Sequence, residues 1–249
     1  MLTSTQHTML ALVLIALTLG QAHAQSHVLG ELDAAASQYH RDPTQLDRLR
    51  TGLESAVAAD PHPANWIGLS RISFLWGDIR ATTREQKLDA YERGRQAGQR
   101  AIELAPRDPT ARFWYATNTG RWGQTNGVVR SIFLLPTVRE HLAVTLELDP
   151  NFTGAHLVMG YIYYDVPRLL GGDLDKAEES FRAALRQVPT FTTARVGLAR
   201  TLAKKGKIAE ARREAQAVLD ETAPFNPADW TMKDTRDARK LLELLKGKS

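Results

Sequence analysis

Thr153-Gly-Ala-His-Leu-Val-Met-Gly160-Tyr-Ile-Tyr163, followed by Ala177-Glu-Glu-Ser-Phe181-Arg-Ala-Ala184 and then Pro189, is the stretch whose spacing decides the fold. Positions 177, 181, 184 and 189 run small, aromatic, small, proline, which is one face of a helix stopped by proline. Gly160 and Tyr163 form the answering face of the helix before it. Counting on from Pro189, Ala199, Gly206 and Ala211 fall where a second copy of the pattern needs small residues, and Pro224 lies one place beyond the expected stop. Two antiparallel helices approach closely only where a small residue on one leaves room for a large one on the other. Neither pair can bury its apolar stripe alone, so the pairs must stack.

These offsets are those of a tetratricopeptide (TPR) repeat. They predict an all-α, TPR-like α-solenoid of antiparallel helix pairs, with the clearest repeats at 109–152, 153–191 and 192–225. The phrases Glu103-Leu-Ala-Pro106, Glu147-Leu-Asp-Pro150 and Arg186-Gln-Val-Pro189 repeat the same ending three times. Upstream, a helical pattern covers Val28 to Ala59, with Asp42-Pro43 read as a helix start. Trp66 opens another helix, whose partner is Leu88–Leu104. The middle repeats carry enlarged connections, Gly77–Gln86 and the Gly-rich insert 120–135, which is apolar enough to be expected as a turn and short helix buried against the stack. In Pro167…Gly171-Gly172-Asp173, proline stops one helix, the glycines permit left-handed backbone and Asp173 caps the next. A half-polar capping helix is expected at about 234–246.

Residues 1–24 contain no Lys, Arg, Asp or Glu, and the apolar run Met9–Gly20 precedes Ala22-His23-Ala24. That pattern predicts a secretory signal cleaved before Gln25, so the remaining 25–249 are expected as a single periplasmic or secreted domain. The mature part has no run suited to spanning a membrane. With no cysteine in 249 residues, an exported chain holds together by packing alone and carries no lipid-bearing Cys. The formal charge of +4 is mild, and acids and bases alternate along most helices, which argues against nucleic acid as a partner. No nucleophile elbow, His-Glu-x-x-His or phosphate loop occurs, and His40, His62, His141 and His156 have no metal spacing. The expected mode of action is binding, without catalysis, metal or cofactor.

In a TPR stack the first helix of each pair lines the concave side. That register brings Phe113 and Arg121, then Tyr161 and Tyr164, then Arg200 and Lys204 to the groove. Trp114, Asn118 and Trp122 join them because they flank the insert. Aromatics beside cations suit an acidic small molecule or peptide tail, with arginine forked onto the carboxylate. An open groove with exposed Arg200 and Lys204 would mark a protein-binding scaffold. A chamber formed by insert 120–135 and lined by Trp114, Trp122 and Tyr161 would mark a small-molecule binder.

Between Trp66 and Leu245 the Ala-Ile-Glu-Leu-Ala-Pro106 phrase, the Phe113-Trp-Tyr-Ala116 helix, Glu147-Leu-Asp-Pro150 and above all Val166-Pro…Gly171-Gly172-Asp173…Ala177 resemble the T-component of TRAP transporters. The run of repeats with its Trp230…Asp234…Leu241-Leu242 ending is also similar to the regulator of microtubule dynamics family. The first resemblance implies an accessory protein that partners a periplasmic substrate-binding protein of a transport system, although T-components usually carry the lipid-bearing Cys absent here.

Overall fold

The computed structural model describes residues 29–248, and the expected signal at 1–24 lies outside them. Every regular element among the described residues is helical. Helix α1 occupies 29–38, followed by α2 (Gln45–Ala59), α3 (Pro63–Ile79), α4 (Arg84–Leu104), α5 (Pro109–Asn126), α6 (Val128–Leu148), α7 (Thr153–Asp165), α8 (Leu174–Gln187), α9 (Thr192–Lys204) and α10 (Ile208–Leu219). A single turn, α11 (Pro227–Asp229), runs through the π-helical turn Trp230–Asp234 into α12 (Thr235–Leu244).

Local chemistry sets most of the helix starts. Thr83 and Gln86 close a capping box on α4. Asp108 accepts from Thr110 and Ala111 with Pro109 in the first turn of α5. Asp173 accepts from Asp175 and Lys176 at the start of α8, as its position after two glycines predicts. Gly171 takes φ +87°, and a Cβ at Gly172 would lie 1.7 Å from the Val166 carbonyl oxygen. Asp42 behaves differently from expectation. It accepts from the Thr44 amide at 3.0 Å in a turn, and α2 begins only at Gln45.

Packing follows the small-against-large rule. The ring of Phe181 in α8 is fully buried between Gly160 of α7 and Gly197 of α9, whose added Cβ atoms would lie 2.7 and 2.4 Å from it. Ala177, Ala184, Ala199 and Ala211 are fully buried in the same cluster. Helices pair in sequence, α3 with α4, α5 with α6, α7 with α8 and α9 with α10, and successive pairs stack. Neighbouring first helices also touch, α3 with α5, α5 with α7 and α7 with α9, so they form the inner wall of a curved row. The chain is therefore an all-α TPR-like solenoid.

Two features depart from the sequence-based expectation. The extra length of the middle repeats is carried by helix rather than by loop. Only Arg80–Thr83 separates α3 from α4, and Gly127 alone, at φ +117°, joins α5 to α6. The 120–135 insert is thus the end of α5 and the start of α6, and its apolar residues Val128, Val129, Ile132 and Phe133 are exposed instead of buried. Secondly, the row curls back on itself. Ala228 is buried in the N-terminal cluster with Leu32 and Tyr39. The Tyr39 hydroxyl donates to Asp229 at 2.8 Å, and the Asn226 amide donates to the Ala36 carbonyl at 3.3 Å. The returning C-terminal segment consequently borders a recess on the inner face.

Candidate functional site

The inner wall carries two separate polar clusters, one on each half of the row. In the N-terminal half an aromatic ladder runs from Tyr91 to Phe74 (centroids 6.5 Å apart), Trp114 (5.6 Å), Phe113 (4.9 Å) and Phe152 (4.9 Å). Cations lie over its rungs, Arg71 at 5.7 Å from the Trp114 ring and Arg121 at 5.8 Å from Phe74. The Tyr91 hydroxyl donates to Asp78 at 2.6 Å, and Arg121 forms an ion pair with the same carboxylate. Burial, then the Asp78 charge, pushes the Tyr91 phenol above its ordinary range, so it stays a donor. Asp78, Lys87, Tyr91, Arg121, Gln124, Thr125 and, from the returning C-terminal segment, Lys233 line a recess of about 390 Å³.

In the C-terminal half, Tyr161 packs edge-on against Phe181 at 5.0 Å and donates to the Thr193 carbonyl at 3.2 Å. The Lys204 ammonium sits 3.5 Å from the Tyr164 ring centroid and donates to the Tyr164 carbonyl. Arg200 donates to Asp237 of α12 at 2.9 Å. Burial raises the Asp165 carboxyl pKa, opposed by the nearby Lys204 and Arg200 charges.

Against the sequence expectation, the nine candidate residues divide. Arg121 lines the N-terminal recess. Phe113 is buried, its ring against Gly154, and Trp114 is half-buried beside it. Asn118 is fully buried, donating to the Ser70 and Trp114 carbonyls at 3.0 and 2.9 Å, and serves as a polar clamp between α3 and α5. Trp122 is held between Arg95 (4.9 Å) and Arg130 (5.7 Å). Tyr161, Tyr164, Arg200 and Lys204 belong to the other half. Trp114, Trp122 and Tyr161 therefore share no chamber, because they lie in three different clusters. Arg200 is likewise not the free cation expected, since α12 supplies its carboxylate. Asp78, Lys87, Tyr91 and Lys233 went unread in the sequence. The register places Asp78 one turn beyond Phe74 on α3, a signal hidden when 77–86 is taken as loop. Lys233 reaches the recess only through the return of the C terminus, which no local pattern announces.

Arginines of this wall are already answered from within the chain: Arg71 by Asp33, Arg121 by Asp78 and Arg200 by Asp237. Lys87 makes no ion pair among the described residues. No group of three or more His, Cys, Asp or Glu among the described residues is arranged to hold a metal.

Comparison with known proteins agrees with this architecture. The tetratricopeptide repeat pattern matches residues 168–233. A thermophilic TPR protein of Thermus thermophilus has a similar structure, with TM-score 0.60, 19% identity, and coverage of 87% of this chain and 98% of that one. That likeness bears on the fold alone. Regulator of microtubule dynamics protein 3 from Rattus norvegicus and from Mus musculus are each 26% identical over 168 residues, covering 58% of this chain. The alignment spans only 36% of the length of these relatives. The pattern of the Regulator of microtubule dynamics protein 1-3 family matches residues 28–170, more than half of the sequence, and the chain belongs to that family.

Proposed function

We propose that the protein is an exported protein-binding scaffold that holds a carboxylate-bearing segment of its partner in the N-terminal recess. The observation that carries this reading is the make-up of that recess. Three cations, Lys87, Arg121 and Lys233, face one carboxylate, Asp78, beside the Tyr91 hydroxyl and the Gln124 amide. Asp78 fixes Arg121 in place and Asp229 pairs with Lys233, which leaves Lys87 as the unanswered charge. Such a surface suits a partner's acidic stretch, with rings of the ladder beneath supplying apolar area. Binding, rather than catalysis, is the mode of action in this reading.

The resemblance to TRAP T-components points to a periplasmic substrate-binding protein of a transport system as the partner. The relatives are named for microtubule dynamics, and the aligned third of their length is the part this chain shares with them. Charge reversal tests the proposal. Fluorescence anisotropy with labelled 12-residue peptides, one Glu-rich and one Lys-rich, is expected to show preference for the acidic peptide. Lys87→Glu combined with Lys233→Glu should weaken that binding about tenfold, while Lys204→Glu in the other half leaves it unchanged. Equal binding of both peptides, or indifference to the double reversal, would overturn the assignment. Competition by a small dicarboxylate at the same site would replace the peptide with a free organic acid.

A further inference from the structure

The α5–α6 hairpin reaches past the α7–α8 hairpin that follows it. Arg139 of α6 donates to the Leu170 and Gly171 carbonyls of the α7–α8 connection, at 3.1 and 2.8 Å, and so marks the level where the next hairpin ends. Val128 lies eleven residues earlier on the same helix, about 16 Å farther out at roughly 1.5 Å per residue. The buried residues of α6, Val138, Leu142 and Thr145, all fall in its second half. Nothing on the α7 side covers the first half.

That first half is apolar. Val128, Val129 and Phe133 are 77%, 69% and 75% exposed, and Ile132 is also exposed. At positions i, i+1, i+4 and i+5 they make one stripe of a helix. Leu169, fully exposed, lies in the connection that Arg139 holds. An uncovered apolar face of this kind marks an interaction surface. Its charge identifies the occupant. From Pro109 to Arg139 the sequence contains no Asp or Glu, and it carries Arg112, Arg121, Arg130 and Arg139. Nearby acids of the neighbouring hairpin are answered, Asp78 by Arg121 and Glu92 by Arg95, and Glu85 stands beside Arg84, which is bonded to the Thr125 carbonyl.

We propose that the α5–α6 tip inserts its Val128/Val129/Ile132/Phe133 stripe into the surface of an anionic lipid bilayer, with Arg130 at the headgroups. An exposed ridge fits a planar surface, whereas a peptide needs two walls. Self-pairing through the stripe would set Arg130 against its own copy. A cationic, aromatic-tipped apolar helix face is the chemistry that lies in a membrane interface without spanning it. This claim is independent of the recess, which lies on the inner wall.

The absence of cysteine from the sequence makes the test clean. The full chain carrying Phe133→Cys, or separately Leu244→Cys as a control on α12, is labelled with an environment-sensitive fluorophore and mixed with phosphatidylcholine vesicles with or without 30% phosphatidylglycerol. The expected result is a blue shift at position 133 with anionic vesicles only, and none at position 244. In the unlabelled chain, Val129→Ser with Phe133→Ser should weaken vesicle sedimentation about tenfold while the thermal midpoint stays put. An unshifted probe at 133 would overturn the proposal, including the case in which the N-terminal segment alone holds the chain to vesicles. A concentration-dependent dimer abolished by the same serine pair would also overturn it, assigning the stripe to a second copy.

Discussion

The α7–α10 layers and the outer half of α6 are both rich in apolar residues, yet they spend them in opposite ways. In the first region Phe181 has a glycine on each side and helices of nearly equal length, so every turn has a neighbour. In the second, α6 runs 21 residues beside a 13-residue α7, so its first turns pack on α5 alone, with Ser131 and Leu134 against Gly123. Hydrophobicity alone does not make core. A core position also requires a neighbouring element that reaches it, and the length mismatch between consecutive hairpins removes that neighbour at Phe133.

The largest test of this contrast uses the same substitution in both places. Phe181→Ala empties a site enclosed by α7, α8 and α9, and should cost about 3–5 kcal/mol in urea unfolding. Phe133→Ala removes a ring already in solvent and should stay within about 0.5 kcal/mol of the parent. Comparable losses at the two positions would mean that the α6 tip is covered.

Glycines sharpen the comparison. A Cβ at Gly197 would lie 2.4 Å from the Phe181 ring, so Gly197→Ala should lower stability by about 1–3 kcal/mol as the ring is displaced. In the α5 arm, the nearest atom to a Cβ at Gly120 is 3.9 Å away on Val138. Gly120→Ala should raise stability by about 0.5–1 kcal/mol through helix propensity. Opposite signs at these two sites, read as shifts in thermal midpoint, would confirm that the packing is tight in one region and slack in the other.

A smaller effect concerns charge. Burial works against the ionised Glu178 side chain, but hydrogen bonds from Lys205, Arg182 and Lys207 outweigh it and hold its pKa down to about 2. A folded pKa below the unfolded 4.5 means stability that is present above that value and is lost as pH falls toward 2. Glu178→Gln should therefore cost about 1–2 kcal/mol at neutral pH, and the variant and parent should converge near pH 2. A difference that persists in acid would assign the effect to packing instead of to the ion pairs, which tie α8 to the α9–α10 turn.

The candidate site was legible only in part, and for a definable reason. Register arithmetic brought Arg121 to the inner wall, because a helix position fixes a direction. It also brought Phe113 there, but that ring is buried, and Asn118, chosen for its place beside the insert, is buried too. Here the glycines at 154 and 94 let those side chains sink between layers, an added Cβ at Gly94 falling 2.2 Å from the Asn118 carbonyl oxygen. The partnering of Tyr39 by Asp229 joins residues far apart in the chain, and no local spacing encodes it.

What the sequence determined by itself was the repeating unit: small residues opposite rings, prolines at helix ends and Asp173 as a cap are local rules acting within about 40 residues, the span of a helix pair. Tertiary structure alone decided how the units are used. The curvature accumulated over four helix pairs returns the C-terminal segment to α1 and brings Lys233 to the recess. The unequal lengths of neighbouring helices leave the α6 tip bare. Both depend on sums over the whole row, and a sum of small angles or lengths is not readable from any one of its terms.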